Sequence, residues 1–333
     1  MTTRFHASRR HFLQAVSAVA AGTALPVHAQ AEFAKRPVRL ISGFPPGGQG
    51  DAMARLFADR IRAASGWDMV VENKPGGALV LATDYVAKAA PDGHVIGLFP
   101  QAAISANQVL FKKLPFDANK DFTPISIIGR ASVALVAHPS LGVDNLKDLV
   151  SLSRKGEISY GTTGAGTLGH VVLETVNRET GSRFKFVPYK GEAQGAQDLL
   201  GGHIKLMIVT AAGMRTVTQA NPAFKPMAVT GKQRWPGYDS MPTFEEALGA
   251  HPVYSLAGWQ GFLGPAGMSS AVVQAHADQI ARAFAQPDMQ QRLNAVAVTP
   301  QLHGPAEFAQ IFHNETATWV KALTDLGLQG SAG

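Results

Sequence analysis

The sequence predicts an α/β protein of two lobes, each a mostly parallel, doubly wound sheet flanked by helices. Three observations lead there. At 333 residues the chain is too long for one core, since roughly 150 residues make a domain. From Pro37 onward the order strand, loop, helix occurs three times before residue 105, which is the signature of parallel strands joined by crossovers. After Phe122 the same pattern restarts. Hydrophobic residues at 46% against 16% charged place the chain among globular proteins, and there is no low-complexity tract and no clear internal repeat.

The first strand is Pro37–Gly43, and the stretch Val38–Asp51 (VRLISGFPPGGQGD) runs it through two prolines and three glycines into a helix over 51–64. The first turn of a helix leaves backbone N–H groups unpaired and carries partial positive charge, and glycines leave room for a ligand to touch the backbone. The stretch therefore reads either as an ordinary strand-to-helix turn or as an anion cradle. Met69–Val71 is a second strand, closed by Glu72-Asn73-Lys74-Pro75-Gly76-Gly77, and a helix over 79–90 follows. Pro91-Asp92-Gly93 is a turn, His94–Phe99 a third strand, and Pro100–Ala103 opens a further helix-like segment. Ligands sit past the carboxyl ends of strands in such sheets, where the loops at 44–51, 73–77 and 100–105 lie.

In the second half, Ile125–Ile128 and Val133–Ala137 read as strands, 145–153 as a helix and Ile158–Tyr160 as a strand. That last strand enters a second glycine-rich turn, Gly161–Thr167, and a helix over 168–177, a turn like the first in physics and unlike it in sequence. Phe184–Pro188, Leu206–Thr210 and Lys225–Thr230 are strands, with 196–200 helical. Three helices close the chain, at 270–285, 287–296 and 305–325, the last with a stripe of Phe308, Phe312, Trp319 and Leu323. Helices without strands of their own need a sheet to cover. The expectation is a discontinuous first lobe, 35–136 plus 258–333, with a second lobe, 137–257, inserted, and crossings near 130–137 and 253–260.

Residues 1–29 read as an address. Arg9-Arg10 followed by Phe12-Leu13, an apolar run and Val27-His28-Ala29 make a twin-arginine-type signal cleaved near Ala29, which places the mature protein in the periplasm. The alternative, a permanent anchor, is disfavoured because the run is shorter than the ~20 residues of a membrane span. Removing the three arginines of this segment leaves 27 basic against 24 acidic residues, a net +3, which is no nucleic-acid footprint. Cysteine is absent, so disulfides, cysteine metal sites and thiol catalysis are excluded.

Among motifs, Gly164-Ala165-Gly166-Thr167-Leu168-Gly169 matches GxGxxG, so a nucleotide-binding enzyme is the first rival. It lacks the acid expected at the end of the next strand, where Val187-Pro188-Tyr189-Lys190 stands. The competing reading is a carboxylate held by backbone N–H groups and by the hydroxyls of Thr162, Thr163 and Thr167. No GxSxG, HExxH or Walker lysine occurs. His170, in the first helical turn, is either a satisfied histidine or a helper in holding an anion. Met207, Met214 and Met227 read as core fillers. Trp259 is either core packing at the hinge or an aromatic wall for a ligand.

These residues together resemble the periplasmic substrate-binding proteins of tripartite tricarboxylate transporters, the TctC or Bug family, over about 36–328. The marks are the Phe44–Asp51 loop, Glu72–Gly77, Pro91-Asp92-Gly93, Tyr160–Gly166 with His170, Val187–Gly191, and Trp259-x-Gly261 with Pro265-Ala266-Gly267. The resemblance implies a two-lobed Venus-flytrap, type II-like protein that closes on a small di-, tri- or aromatic carboxylate and hands it to membrane permease subunits. It implies contacts from Phe44, Pro46, Gly47, Gly48, Gln49 and Asp51 in the first turn. The second would grip the ligand through Thr162, Thr163, Gly164, Gly166 and Thr167 with His170, and Gln101, Ala102, Ser105 and Tyr189 would line the sides. It implies no catalytic residue, no cofactor, no metal, no nucleic acid and a monomer; a ligand sensor without a transport role is the further alternative. The chain departs from the family at Gln49 and Gly50, and at Val209, where the family often has an acid that could meet a ligand ammonium. That loss weakly disfavours amino acids as ligands. Gly166→Asp is expected to abolish binding without unfolding the chain.

Overall fold

The computed structural model describes residues 36–296 and 298–331; the segment 1–29, expected to be a signal, lies outside the described residues. The first lobe begins with β1 (Val38–Ser42), α1 (Gln49–Ser65), β2 (Met69–Asn73), α2 (Val80–Ala87) and β3 (Val95–Pro100). Two short helices, α3 (Gln101–Ser105) and α4 (Asn107–Leu110), lead to β4 (Phe122–Ala131). The apolar residues of α1 that the spacing singled out, Met53, Phe57 and Ile61, are buried against the sheet, and Gly66 ends the helix in the left-handed conformation that suits glycine.

The chain then crosses into the second lobe. Its elements are β5 (Ala134–Ala137), α5 (Leu146–Lys155), β6 (Ile158–Thr162), α6 (Leu168–Thr180) and β7 (Phe184–Pro188), then α7 (Glu192–Leu200), β8 (Leu206–Val209), α8 (Ala211–Ala220), β9 (Lys225–Val229) and α9 (Phe244–Leu248). It returns through β10 (Gly258–Pro265), α10 (Ser270–Phe284), α11 (Met289–Ala295), β11 (Thr299–His303) and α12 (Pro305–Asp325).

The sheets are mixed. The first runs β11-β4-β10-β3-β1-β2 and the second β7-β6-β8-β5-β9. In each, the strands of the strand–helix units share one direction, and a strand arriving from the other lobe, β10 or β5, lies antiparallel between two of them. Apart from the edge strand β11, the two orders are the same order. The internal repeat that is not legible as sequence is present as topology.

Three sequence expectations are corrected. Residues 134–137 belong to the second sheet, because β5 pairs with β8 and β9, so the lobe boundary falls at Ser132–Val133 rather than after 136. The closing segment has a strand of its own, β11, which pairs with β4. Finally, α12 does not cover the first lobe alone. Phe308 and Phe312 pack on Trp259 of the first lobe, whereas Trp319 and Leu323 join the core of the second lobe with Tyr160 and Val171. Trp259 is fully buried, so it is core and not a wall open to ligand. Met207, Met214 and Met227 are buried core residues.

The crossings orient the lobes. Ala131, the last residue of β4, pairs with Gly258, and Pro100, the last of β3, pairs with Gln260. Ala134, the first residue of β5, pairs with Val209 and Val229, the last residues of β8 and β9. The carboxyl ends of the co-directional strands in both sheets thus converge on the crossing and line the gap between lobes. The second crossing runs alongside the first: the Thr230 N–H donates to the Val133 carbonyl at 2.8 Å and the Gly231 N–H to the Tyr254 carbonyl at 2.9 Å.

Candidate functional site

Both glycine-rich turns stand on this rim, at the ends of β1 and β6, and they share one construction. A glycine with positive φ, Gly47 (+81°) or Gly166 (+72°), precedes the helix N-cap, Gly48 or Thr167. Its N–H donates forward to a side chain four residues on, to Asp51 Oδ2 at 2.8 Å and to His170 Nδ1 at 3.2 Å. A second glycine follows two residues after each N-cap, and each is needed for space. A Cβ on Gly50 would lie 2.0 Å from the Phe44 ring, and one on Gly169 would lie 2.4 Å from Ile208 Cγ2.

Neither N-cap side chain closes its helix. Gly48 has none, and the Thr167 hydroxyl donates to the Gly164 carbonyl at 2.9 Å instead. By contrast Asn145, Thr210, Thr243 and Ser269 cap their helices by accepting from the first turn. The first-turn N–H groups of α1 (residues 49–51) and α6 (168–170) therefore point outward with the partial positive charge of the helix start behind them. What such a pair of turns can do chemically is replace water around an anion.

The expected site residues divide between lining and support. Pro46 and Gly47 are exposed, and Phe44 and Gly48 are partly buried; the side chain of Gln49 lies outside the described residues. Asp51 is a supporting residue. Its carboxylate is buried and also takes Arg55 Nε at 3.0 Å and Asn73 Nδ2 at 2.7 Å. Burial pushes its pKa up, but the hydrogen bonds from Arg55, Asn73 and Gly47 prevail and hold it below the usual carboxylate range. Asn73, part of the Glu72–Gly77 motif but not among the expected contacts, also donates to the Phe44 carbonyl at 3.0 Å and so fastens the turn to β2.

In the second turn, Thr163 and Gly164 are accessible, while Thr162 is buried with its Oγ1 3.2 Å from that of Thr167. The Thr167 proton goes to the Gly164 carbonyl, so Thr162 is the donor of that pair. Neither hydroxyl keeps a proton for a carboxylate. In this structure the hydroxyls of Thr162 and Thr167 are engaged within the turn, and the backbone N–H groups and the exposed Thr163 are what the turn leaves open. His170 is buried against the Phe186 ring at 4.2 Å; burial pushes its pKa down, with Glu174 pulling the other way. Its Nδ1 accepts from Gly166, so it shapes the turn as a neutral imidazole.

The side walls differ most from expectation. Gln101 is buried, with Nε2 3.2 Å from Glu315 Oε2, and Ser105 is buried 3.0 Å from the Thr316 hydroxyl, so both engage α12. Ala102 packs on the core shared by the lobes. The Tyr189 hydroxyl donates to Asp198 at 2.8 Å, and its ring lies over Gly161. Four residues that the sequence did not offer complete the site. Leu110 of the first lobe packs on Gly166 of the second, where a Cβ would lie 2.6 Å from Leu110 Cδ1. Arg130 Nη1 holds Glu315 at 2.7 Å and the Ala257 carbonyl at 2.9 Å, tying both crossings to α12. Glu192 reaches Thr210 at the carboxyl end of β8. No group of metal-binding side chains occurs among the described residues, and none of their helices is long and apolar enough to cross a membrane.

Comparison with known proteins agrees with this architecture. The chain is 28% identical over 311 residues to protein BugT of Bordetella pertussis, covering 92% of this chain and 94% of that one. It superposes with a TM-score of 0.72 on a Rhodopseudomonas palustris protein, Rpa4515, with adipate (29% identity, 88% of this chain and 98% of that one). MatC of the same organism, with bound malate, superposes with a TM-score of 0.69 (25% identity, 87% and 100%). The family model described as "tripartite tricarboxylate transporter family receptor" matches residues 53–328. The chain belongs to that receptor family, TctC, and is a periplasmic solute-binding protein rather than an enzyme.

Proposed function

We propose that the protein captures a small organic carboxylate, of the di-, tri- or aromatic class, between its lobes and delivers it as a monomer to the membrane subunits of a tripartite tricarboxylate transporter. The observation that carries this reading is the pair of uncapped, glycine-lined helix starts on the rim shared by the two lobes. A carboxylate that touches both turns stabilises the closed arrangement of the lobes over the open one, since only the closed form offers both sets of donors. The adipate and malate held by the two Rhodopseudomonas relatives are carboxylates of this kind. Export with cleavage near Ala29 accounts for the twin-arginine segment.

A thermal-shift and calorimetric panel of mono-, di-, tri- and aromatic carboxylates tests this. A ligand at one hundred times its Kd should stabilise the protein by about 2.7 kcal/mol. Absence of a shift with every carboxylate would overturn the reading. Uptake measured in a strain lacking the protein separates transport from sensing.

A further inference from the structure

Glu192 is a half-buried carboxylate that the two glycine-rich turns do not use. It opens α7 at the carboxyl end of β7, on the rim that lines the gap. Its Oε1 accepts from the Thr210 N–H and from the Thr210 hydroxyl, both at 3.1 Å. It rests on the first turn of α8 so closely that a Cβ on Gly213 would lie 1.5 Å from Oε1. The chain's own carboxylate thus fills a third helix start on the same rim. Burial raises its pKa, and the two bonds from Thr210 act against that rise. The second oxygen, Oε2, makes no hydrogen bond to another described residue, and the side chain is only half-buried.

We propose that Glu192 sets the ligand class by accepting a hydrogen bond from a donor substituent, an ammonium or a hydroxyl, on the carbon chain of the bound carboxylate. This rests on the carboxylate-binding reading above. A ligand that offers only carboxylates brings like charge toward Oε2, whereas one with a donor beside its carboxylate supplies the missing partner, so the same residue attracts one class and rejects the other. Val209 is apolar, but Glu192 restores an acid one residue further along from a neighbouring helix. The weak sequence argument against amino acids is thereby reversed.

The test is calorimetry on two matched series: succinate, malate and aspartate, then adipate, 2-hydroxyadipate and 2-aminoadipate. In the native protein the donor-bearing members of one series should bind about tenfold or more tighter than the plain diacid, the size of a charge-assisted hydrogen bond. Preference for the amino member alone assigns an ammonium, and preference for both assigns a donor of either kind. Glu192→Gln keeps the acceptor for Thr210 and should bring the ratio to within about threefold without weakening the plain diacid. Gly213→Ala, which moves the carboxylate without removing its charge, should lower the same ratio. Equal binding within each series, or an unchanged ratio in Glu192→Gln, overturns this proposal while leaving the carboxylate site standing. No binding of any of the six, nor of any carboxylate in the wider panel, overturns both.

Discussion

Asp51 and His170 occupy the same place in the two halves of the molecule: each is the third helical residue after an N-cap, and each accepts from the N–H of the positive-φ glycine four residues before it. An acid and an imidazole do one job because the job is only to offer an acceptor to a turned-in N–H. That N–H would otherwise be left without a partner as the turn tightens. Both side chains are thus part of the frame of their turns, and the outward N–H groups of that frame are the ones proposed to meet the ligand.

Asp51→Ala should therefore weaken binding through stability and loop order rather than through a lost ligand contact. It removes the acceptor for Gly47, Arg55 and Asn73 together, at a cost of about 1–3 kcal/mol. Urea unfolding of the ligand-free protein measures this. A variant of native stability that fails to bind would instead make Asp51 a direct contact.

Acid should destabilise the fold through two buried histidines. Burial pushes His276 down to about 4, with the Gly93 carbonyl acting in the other direction, and burial likewise lowers His170. The unfolded chain takes up these protons near pH 6.5, while the folded chain resists them. Their contribution is complete above about pH 6.5 and is lost as pH falls toward the folded values, at up to about 1.4 kcal/mol per pH unit for each proton. Unfolding free energies between pH 7 and 5 should fall more steeply in the native protein than in His276→Gln or His170→Gln. Parallel profiles would refute the assignment.

How much of this was legible in the sequence depends on what the residues must do locally. The glycine turns are legible because glycine, proline and a following apolar helical face write their own conformation. The shared frame is not, because Asp51 and His170 have no chemistry in common beyond an acceptor. Ala134-Leu135-Val136-Ala137 reads as a buried strand but carries no sign of which sheet it joins, so the sequence places the boundary after 136 and the structure places it before 134. Thr299–His303 contains Pro300 and is mostly exposed at a sheet edge, where alternation is not required. The stripe of α12 shows that one face is buried but not that its two halves are covered by different lobes. Gln101 and Ser105 stand at a strand end where ligands commonly lie, and only the position of α12 turns them into packing and hinge contacts.

The Arg130–Glu315 pair should govern how the lobes move. Arg130 sits near the end of β4, just before the first crossing, Glu315 on the helix that spans both lobes, and the pair also holds Ala257 and Gln101. Both side chains are largely shielded, at 17% and 24% exposure. Glu315→Gln leaves the guanidinium without its counter-charge and should destabilise by about 1–3 kcal/mol. It should also raise the radius of gyration of the ligand-free protein in small-angle scattering. An unchanged scattering curve would confine the pair to a packing role.

Gly166 and Gly47 give the last and sharpest comparison, and one that revises the expected behaviour of Gly166→Asp. Both have positive φ, so an L side chain at either costs about 1–2 kcal/mol in backbone strain. A Cβ at Gly47 meets nothing within 4 Å, whereas one at Gly166 runs into Leu110 of the other lobe at 2.6 Å. Gly47→Ala should therefore lose only the strain. Gly166→Ala should lose that and about 1–3 kcal/mol more from overpacking, because Leu110 must move. Gly166→Asp adds a buried charge to both, so it destabilises the fold as well as the site. Replacing Leu110 by alanine should relieve Gly166→Ala and leave Gly47→Ala unaffected, a coupling that a double-mutant cycle in urea measures directly. Equal losses at the two glycines would show that the second turn does not rest on the first lobe in solution.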